Sequence, residues 1–300
     1  MIVFLTGATG YVGAAVLKKL LEEGHEVRCL VRRKTALTSA NPKAAGKIVE
    51  VHGDLLEPSS YSESLRGADA VIHLVGIIRE KPGRGVTFQR IHAEGTGRLV
   101  DAAKEAGVPR FVHMSALGAR EGAVSGYHRS KWDAEQRLRA SGIAHVIFRP
   151  SVIFGPGDEF VNMLKGIVKA PVTPVFGSGL YRMQPVSIRT VADIFAKALH
   201  TEKLNEAYEV GGPEQIPFTG MLKEIGRALG KQRLNLLHVP LFVTKPLVNA
   251  LHRMPGFPIT RDQLIMLLEE NICRDGNRFT RDYDVSEIRF ADGIRDYLTR

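Results

Sequence analysis

Eight residues near the start of this 300-residue chain constrain its fold most: Thr6-Gly7-Ala8-Thr9-Gly10-Tyr11-Val12-Gly13. They follow an apolar, strand-like run at 2–5 and open a helical pattern at 12–21, where Val12, Val16, Leu17, Leu20 and Leu21 share one stripe. A strand that turns into a helix through three such glycines has few uses. Gly7 permits the tight turn, Gly10 lets the backbone approach a pyrophosphate, and Gly13 lets the helix pack closely on the strand. The helix start, through Thr9, Tyr11 and Val12, adds amide donors and the positive end of the dipole.

Strand and helix signals then alternate up to Pro150. Residues 26–31, 48–51, 70–76, 110–115 and 144–149 read as strands, and 96–106 and 130–140 as helices. This alternation predicts an α/β fold, a Rossmann-type doubly wound parallel sheet with right-handed crossovers. Beyond Pro150 the pattern changes. Residues 154–179 are rich in Gly and Pro, 191–199 read as a helix, 208–213 as a strand ending in a turn, and 219–229, 242–252 and 262–271 as helices. The expected organisation is a dinucleotide-binding domain at 1–155, to which 184–212 return. Residues 156–183 and 213–300 would form a smaller, mostly helical lobe closing the crevice at the carboxyl ends of the strands.

Composition removes several classes of function. Hydrophobic content of 44% with 24% charged residues is globular rather than disordered or fibrous. Cys29 and Cys273, 244 positions apart, make neither a disulfide scaffold nor a CxxC metal or redox site, so no metal is expected. The net charge of +9 admits nucleic acid, an anionic surface or an anionic small ligand. Residues 1–212 hold 28 basic and 21 acidic side chains, and 213–300 hold 13 and 11. The excess is spread rather than striped and has no aromatic stacking pattern, which argues against nucleic acid. No basic segment precedes the first strand and no apolar stretch approaches the roughly 20 residues of a membrane span. The expectation is a cytoplasmic protein, at most peripheral to the inner membrane. The one candidate contact is the apolar segment 236–254, with Lys245, His252 and Arg253, read either as an interfacial helix or as core.

The second strand ends in Leu30-Val31-Arg32-Arg33-Lys34. An acidic residue there would hold a ribose 2′-hydroxyl; guanidinium groups instead suit a 2′-phosphate. Arg32 and Arg33 therefore predict NADP(H) in preference to NAD(H), against the alternative of a solvated basic turn.

With these residues the chain resembles the short-chain dehydrogenase/reductase superfamily, in its extended and atypical branches. Gly53-Asp54-Leu55 is similar to a D-L pair whose Asp54 would contact adenine, with Leu55 beside it. Leu74-Val75-Gly76 is similar to the strand end lining the adenine–ribose side. Arg149-Pro150-Ser151-Val152-Ile153-Phe154-Gly155-Pro156 resembles the segment beside the nicotinamide, implying Pro150 and Val152 as contacts. Tyr127-His128-Arg129-Ser130-Lys131 reproduces YxxxK. On a helix, residues four apart share a face, so Lys131 would lower the Tyr127 pKa and hold the nicotinamide ribose. Tyr127 would then exchange a proton with a carbonyl or hydroxyl as hydride moves. Within the superfamily the likeness is greatest to the group containing the NADPH-binding accessory subunit of respiratory complex I. That implies a bound nucleotide more firmly than turnover.

Two positions depart from the family pattern. The catalytic hydroxyl usually stands second in an S-[ST] pair, where this chain has Ser115-Ala116. Ser115 either substitutes for it or only satisfies the strand end. At the family's N-V-x-G-T the chain reads His92-Ala93-Glu94-Gly95-Thr96, and His92 is expected as a surface histidine. The favoured reading is an oxidoreductase, or an epimerase/dehydratase-like enzyme, acting on an unidentified small molecule with Tyr127, Lys131 and Ser115 at the reacting centre. The alternative is a non-catalytic, NADPH-bound structural or redox-sensing subunit of a quinone or respiratory system. The loop 79–90, with Arg79, Lys81, Arg84 and Arg90, would close over cofactor or draw in an anion, or be solvated. Residues 176–184 are a candidate substrate wall or lobe packing. A homodimer is implied only at family level.

Overall fold

The computed structural model describes residues 1–251 and 259–298; His252, Arg253 and Met254 of the candidate interfacial segment lie outside them. Seven strands form one sheet: β1 (Ile2–Thr6), β2 (Glu26–Val31), β3 (Ile48–His52), β4 (Ala70–His73), β5 (Arg110–Met114), β6 (Ala144–Pro150) and β7 (Glu206–Val210). Their order is β7-β6-β5-β4-β1-β2-β3, and every pairing is parallel. The order in which strands are added reverses between β1 and β4, so the connections that follow their carboxyl ends lead to opposite faces and leave the crevice where ligands of such sheets bind.

Near-continuous apolar strands are what a sheet covered on both faces requires. One face is covered by α1 (Tyr11–Glu22), through Val16, Leu17 and Leu20, and by Phe195, in one cluster with Tyr208 of β7. The other is covered by α2 (Gly95–Glu105) and α3 (Gly126–Ser141), through Leu99 and Leu138 packed with Phe111 and Tyr61. Helix α3 begins four residues before the sequence pattern suggested. Ser125 accepts from the His128 amide as N-cap, and Gly142 ends the helix at φ 79°. Tyr127 is thereby brought into the first turn.

Residues 154–179 are more ordered than their glycines and prolines suggest. Asp158 caps α4 (Glu159–Lys169) by accepting from the Val161 amide, and a short strand at Thr173–Phe176 follows. Val161, Leu164 and Val168 point from α4 into a separate core with Phe154, Phe218, Leu222 and Phe290. This lobe includes α5 (Phe218–Ala228), α6 (Leu241–Leu251), α7 (Arg261–Leu268) and α8 (Phe290–Leu298). Helix α6 contains Pro246 and leaves Phe242 79% and Leu247 49% exposed. No helix of the described residues is long and apolar enough to cross a membrane.

Candidate active site

The glycine turn has the shape its spacing predicts. Gly7 sits at φ +81°, and its carbonyl accepts from the Gly10 amide at 2.9 Å. A Cβ on Gly13 would lie 1.9 Å from that carbonyl oxygen, so only glycine lets α1 come this close to β1. No side chain caps α1 at Gly10, and Thr9 and Gly10 are exposed, which leaves the first amides open to an anion. These features fit a dinucleotide pyrophosphate.

The other predicted cofactor residues surround that turn. Arg32 and Arg33 are exposed just past β2 and form no ion pair among the described residues. Asp54 accepts from the Leu56 amide at 2.9 Å in a local turn, with its carboxylate half-exposed. Leu55 is instead a core residue, buried where a Cβ on Gly95 would meet its Cδ2 at 2.7 Å. Leu74 is buried, Val75 is half-buried and Gly76 is exposed. A Cβ on Gly76 would stand 3.1 Å from Lys131 Nζ, placing the end of β4 directly beside the lysine. Pro150 and Val152 line a cavity next to Tyr127. Tyr11 lines the same cavity, but its hydroxyl is buried with no hydrogen-bond partner among the described residues.

Tyr127 and Lys131 share a face of α3. Lys131 is 2% exposed and donates from Nζ to the Met114 carbonyl at 3.0 Å, at the end of β5. Burial lowers its pKa to about 8, partly opposed by Glu135 one turn on. Tyr127 is half-buried and framed edge-on by His92 (centroids 5.3 Å apart) and Phe88 (5.7 Å). Its spacing from Lys131 suggested a lowered pKa, yet burial pushes it up to about 12. At neutral pH Tyr127 is therefore a phenol, the form that donates a proton.

His92 is not a surface residue. It is 1% exposed, on a π-helical turn at Gln89–Glu94 that leads into α2. Nε2 accepts from the Ile77 amide at 2.9 Å, which assigns the ring proton to Nδ1, 2.8 Å from Ser130 Oγ. Ser130 in turn donates to the Tyr127 carbonyl at 2.8 Å. Burial and Lys131 depress its pKa to about 2, so the ring is neutral. His92 thus ties the loop after β4 to the first turn of α3. Its signal in the sequence was its place in the NVxGT-like segment; burial could not be read there.

Ser115 hydroxyl donates to Glu135 Oε1 at 2.6 Å, and Arg149 grips the same carboxylate through Nε at 2.8 Å and Nη2 at 2.5 Å. Glu135 is fully buried. Ser115 lines the cavity with its hydroxyl already engaged, and Ala116 beside it offers none. The Glu135–Arg149 pair was missed in the sequence, where Glu135 reads as one more helix-surface acid.

The cavity has a volume of about 480 Å³ and takes its walls from both the sheet edge and the lobe. Of the candidate wall at 176–184, Phe176 and Met183 line it. Tyr181 instead stacks on Phe218 at 5.2 Å, and Arg182 turns outward to Glu270 at 2.7 Å. In the loop 79–90, Glu80 accepts from the Phe88 amide at 2.7 Å and Arg79 reaches Gln263 of α7 at 3.4 Å. Cys29 and Cys273 are both buried, free thiols.

A family profile described as NAD(P)H-binding matches residues 7–202. Over 198 residues the chain is 35% identical to a ceramide reductase of Caulobacter vibrioides, covering 65% of this chain and 59% of that protein. It is 27% identical over 298 residues to the mitochondrial NADH-ubiquinone oxidoreductase 40 kDa subunit of Neurospora crassa, covering 97% of this chain and 77% of that one. Among solved structures, a dTDP-glucose 4,6-dehydratase from Streptomyces venezuelae with NAD and TYD bound superposes with a TM-score of 0.77 at 20% identity. The superposition covers 99% of this chain and 96% of that one, a likeness of fold.

Proposed function

Because the chain belongs to the NAD(P)H-binding family, we propose that it is an NADP(H)-preferring oxidoreductase in which Tyr127 delivers a proton to a substrate carbonyl. One observation carries this reading: a protonated Tyr127 lines a largely apolar cavity, one turn from a buried lysine anchored beside Gly76. When bound, the cofactor supplies the hydride. Tyr127 Oη gives its proton to the carbonyl oxygen as that oxygen gains negative charge. Lys131 spends one N–H on Met114, leaving two to hold ribose hydroxyls. Its positive charge favours a negative oxygen at Tyr127. The raised Tyr127 pKa suits reduction, where the phenol donates, better than oxidation, where a phenolate must form. The free guanidinium groups of Arg32 and Arg33 support the 2′-phosphate preference.

Tyr127→Phe should lower kcat by about 10²–10⁴ while leaving NADPH affinity within a few-fold. Unchanged turnover would sink the catalytic role. Replacing Arg32 and Arg33 together by Ala should weaken NADPH at least tenfold and NADH little; equal losses would remove the preference. A second reading is a nucleotide-bound subunit without turnover. It is favoured by the engagement of Ser115 with Glu135 and by Ala116 at the usual hydroxyl position. Native mass spectrometry that finds retained NADP(H), together with no reductase activity on any carbonyl series, would select it.

A further inference from the structure

The cavity beside Tyr127 is lined on the lobe side by Phe160, Met163, Ile167, Phe176, Phe218 and Leu222. Among the described residues, Asp158 and Glu159 are the acidic side chains that line it, and no lysine or arginine does. Asp158 is itself engaged, accepting from the amides of Val161 and Gly155 and from the Tyr297 hydroxyl at 2.9 Å. Of the neutral polar liners, the Tyr11 hydroxyl and His128 Nδ1 have no hydrogen-bond partner among the described residues, and several others are occupied. Ser115 bonds Glu135, Ser151 bonds Asn271 Oδ1 at 2.5 Å, and Gln263 Oε1 accepts from the Thr260 amide at 2.9 Å. Asn271 also accepts from the Val152 amide at 3.2 Å.

Among the described lining residues a pyrophosphate-bearing substrate would therefore meet two carboxylates and no cation, with its charges stripped of water and unpaired. An apolar chain loses nothing there. The volume, on the order of sixteen waters at ~30 Å³ each, is in the range of drug-sized ligand sites, with the nicotinamide expected to take the part beside Pro150 and Val152 and the lobe side left for substrate. We infer that the substrate is a neutral molecule with a long aliphatic chain, the chain occupying the lobe cavity and its carbonyl or hydroxyl meeting Tyr127. This rests on the reading of Tyr127 as the reacting end, and it names the substrate class that reading leaves open.

The test is a binding measurement on the full chain without nucleotide. The neutral fluorophore N-phenyl-1-naphthylamine is bound, then displaced by 2-alkanones of increasing length and, separately, by UDP. Each added CH₂ should tighten displacement about fourfold until the cavity is filled, after which affinity levels off. UDP should not displace the probe. Met163→Arg, at a side chain already 38% exposed, should fold normally and weaken the long alkanones at least tenfold. A response independent of chain length, or displacement by UDP at equal or lower concentration, would overturn the inference. Because turnover is not read, an inactive Tyr127 would fail the catalytic proposal and leave this result standing on its own.

Discussion

On the sheet side of the cavity, Ser115 and Arg149 bond the buried Glu135, and the neighbouring Lys131 bonds the Met114 carbonyl, so each of these polar groups has a partner. On the lobe side, Phe218, Leu222 and Met163 present no strong hydrogen-bonding group. The two walls also differ in what fixes them. The sheet-side groups sit at the ends of β5 and β6 and on α3, where a parallel ladder sets their positions. The lobe-side groups sit on α4 and α5, whose side chains facing the cavity are placed by packing, while directional bonds act at the ends of α4 through Asp158 and Lys231. A wall built by directional bonds should fail abruptly when one partner is removed, and a wall built by contact area should yield gradually.

The largest expected effect follows from removing the centre of the polar set. Glu135→Ala leaves Arg149, with its side chain 18% exposed, facing a hole and deprives Ser115 of its acceptor. The cost should be about 3–5 kcal/mol, the range for breaking a buried pair by deleting one partner. Denaturant unfolding at unchanged m-value would measure it. A loss below about 1 kcal/mol would mean that water replaces the carboxylate, and the contrast between the walls would collapse.

Acid should also attack the sheet side first. Behind Lys131 lie His73, held between Thr6 Oγ1 at 2.7 Å and Thr96 Oγ1 at 3.0 Å, and His113, stacked on it at 5.3 Å. Burial lowers the His73 pKa to about 3 and the His92 pKa to about 2, and holds His113 well below its ordinary value. Since the unfolded chain protonates these rings near pH 6.5, it binds more protons than the native state below that pH. Their contribution is complete above 6.5 and is lost as pH falls towards 3, by about 1.4 kcal/mol per pH unit for each ring. Thermal melts between pH 7 and 4 should show the midpoint falling steadily. His73→Gln, which keeps hydrogen-bonding capacity without the titration, should flatten the slope by about one ring's share.

Much of the sheet side was legible because its signals are local. The glycine turn, the strand at Glu26–Val31 and the Tyr127–Lys131 spacing each depend on a few neighbouring residues. His92 was not legible, because its burial comes from Ile77 and Ser130, 15 residues before it and 38 after it. Helix α4 was overlooked for a different reason. Gly155, Pro156 and Gly157 read as loop, and they hid the capping Asp158 and the Val161, Leu164, Val168 stripe that followed. The cavity itself unites segments more than 100 residues apart, from Tyr11 to Asn271, and no periodicity announces such a meeting.

A smaller effect separates structure from chemistry at Ser115. Ser115→Ala removes one charge-assisted hydrogen bond to a carboxylate still held by Arg149, at a cost of about 1–3 kcal/mol. If the hydroxyl serves only Glu135, kcat should stay within a few-fold at temperatures where the variant is folded. A fall of a hundredfold or more without loss of stability would instead make Ser115 a proton-handling group, and the division between a structural set and a reacting Tyr127 would need redrawing.

The smallest stability effect belongs to the lobe wall, at Met163. Its side chain is flexible, 38% exposed and without a hydrogen bond, so Met163→Ala should cost under about 1 kcal/mol. It nevertheless removes roughly two methylenes' worth of contact from the cavity, so a long alkanone should bind about tenfold more weakly. Binding that falls while folding holds would show that this wall can be reshaped independently of the sheet. If both fell together, Met163 would be a keystone of the lobe core with Val161 and Leu164, and the apolar wall would be as brittle as the polar one.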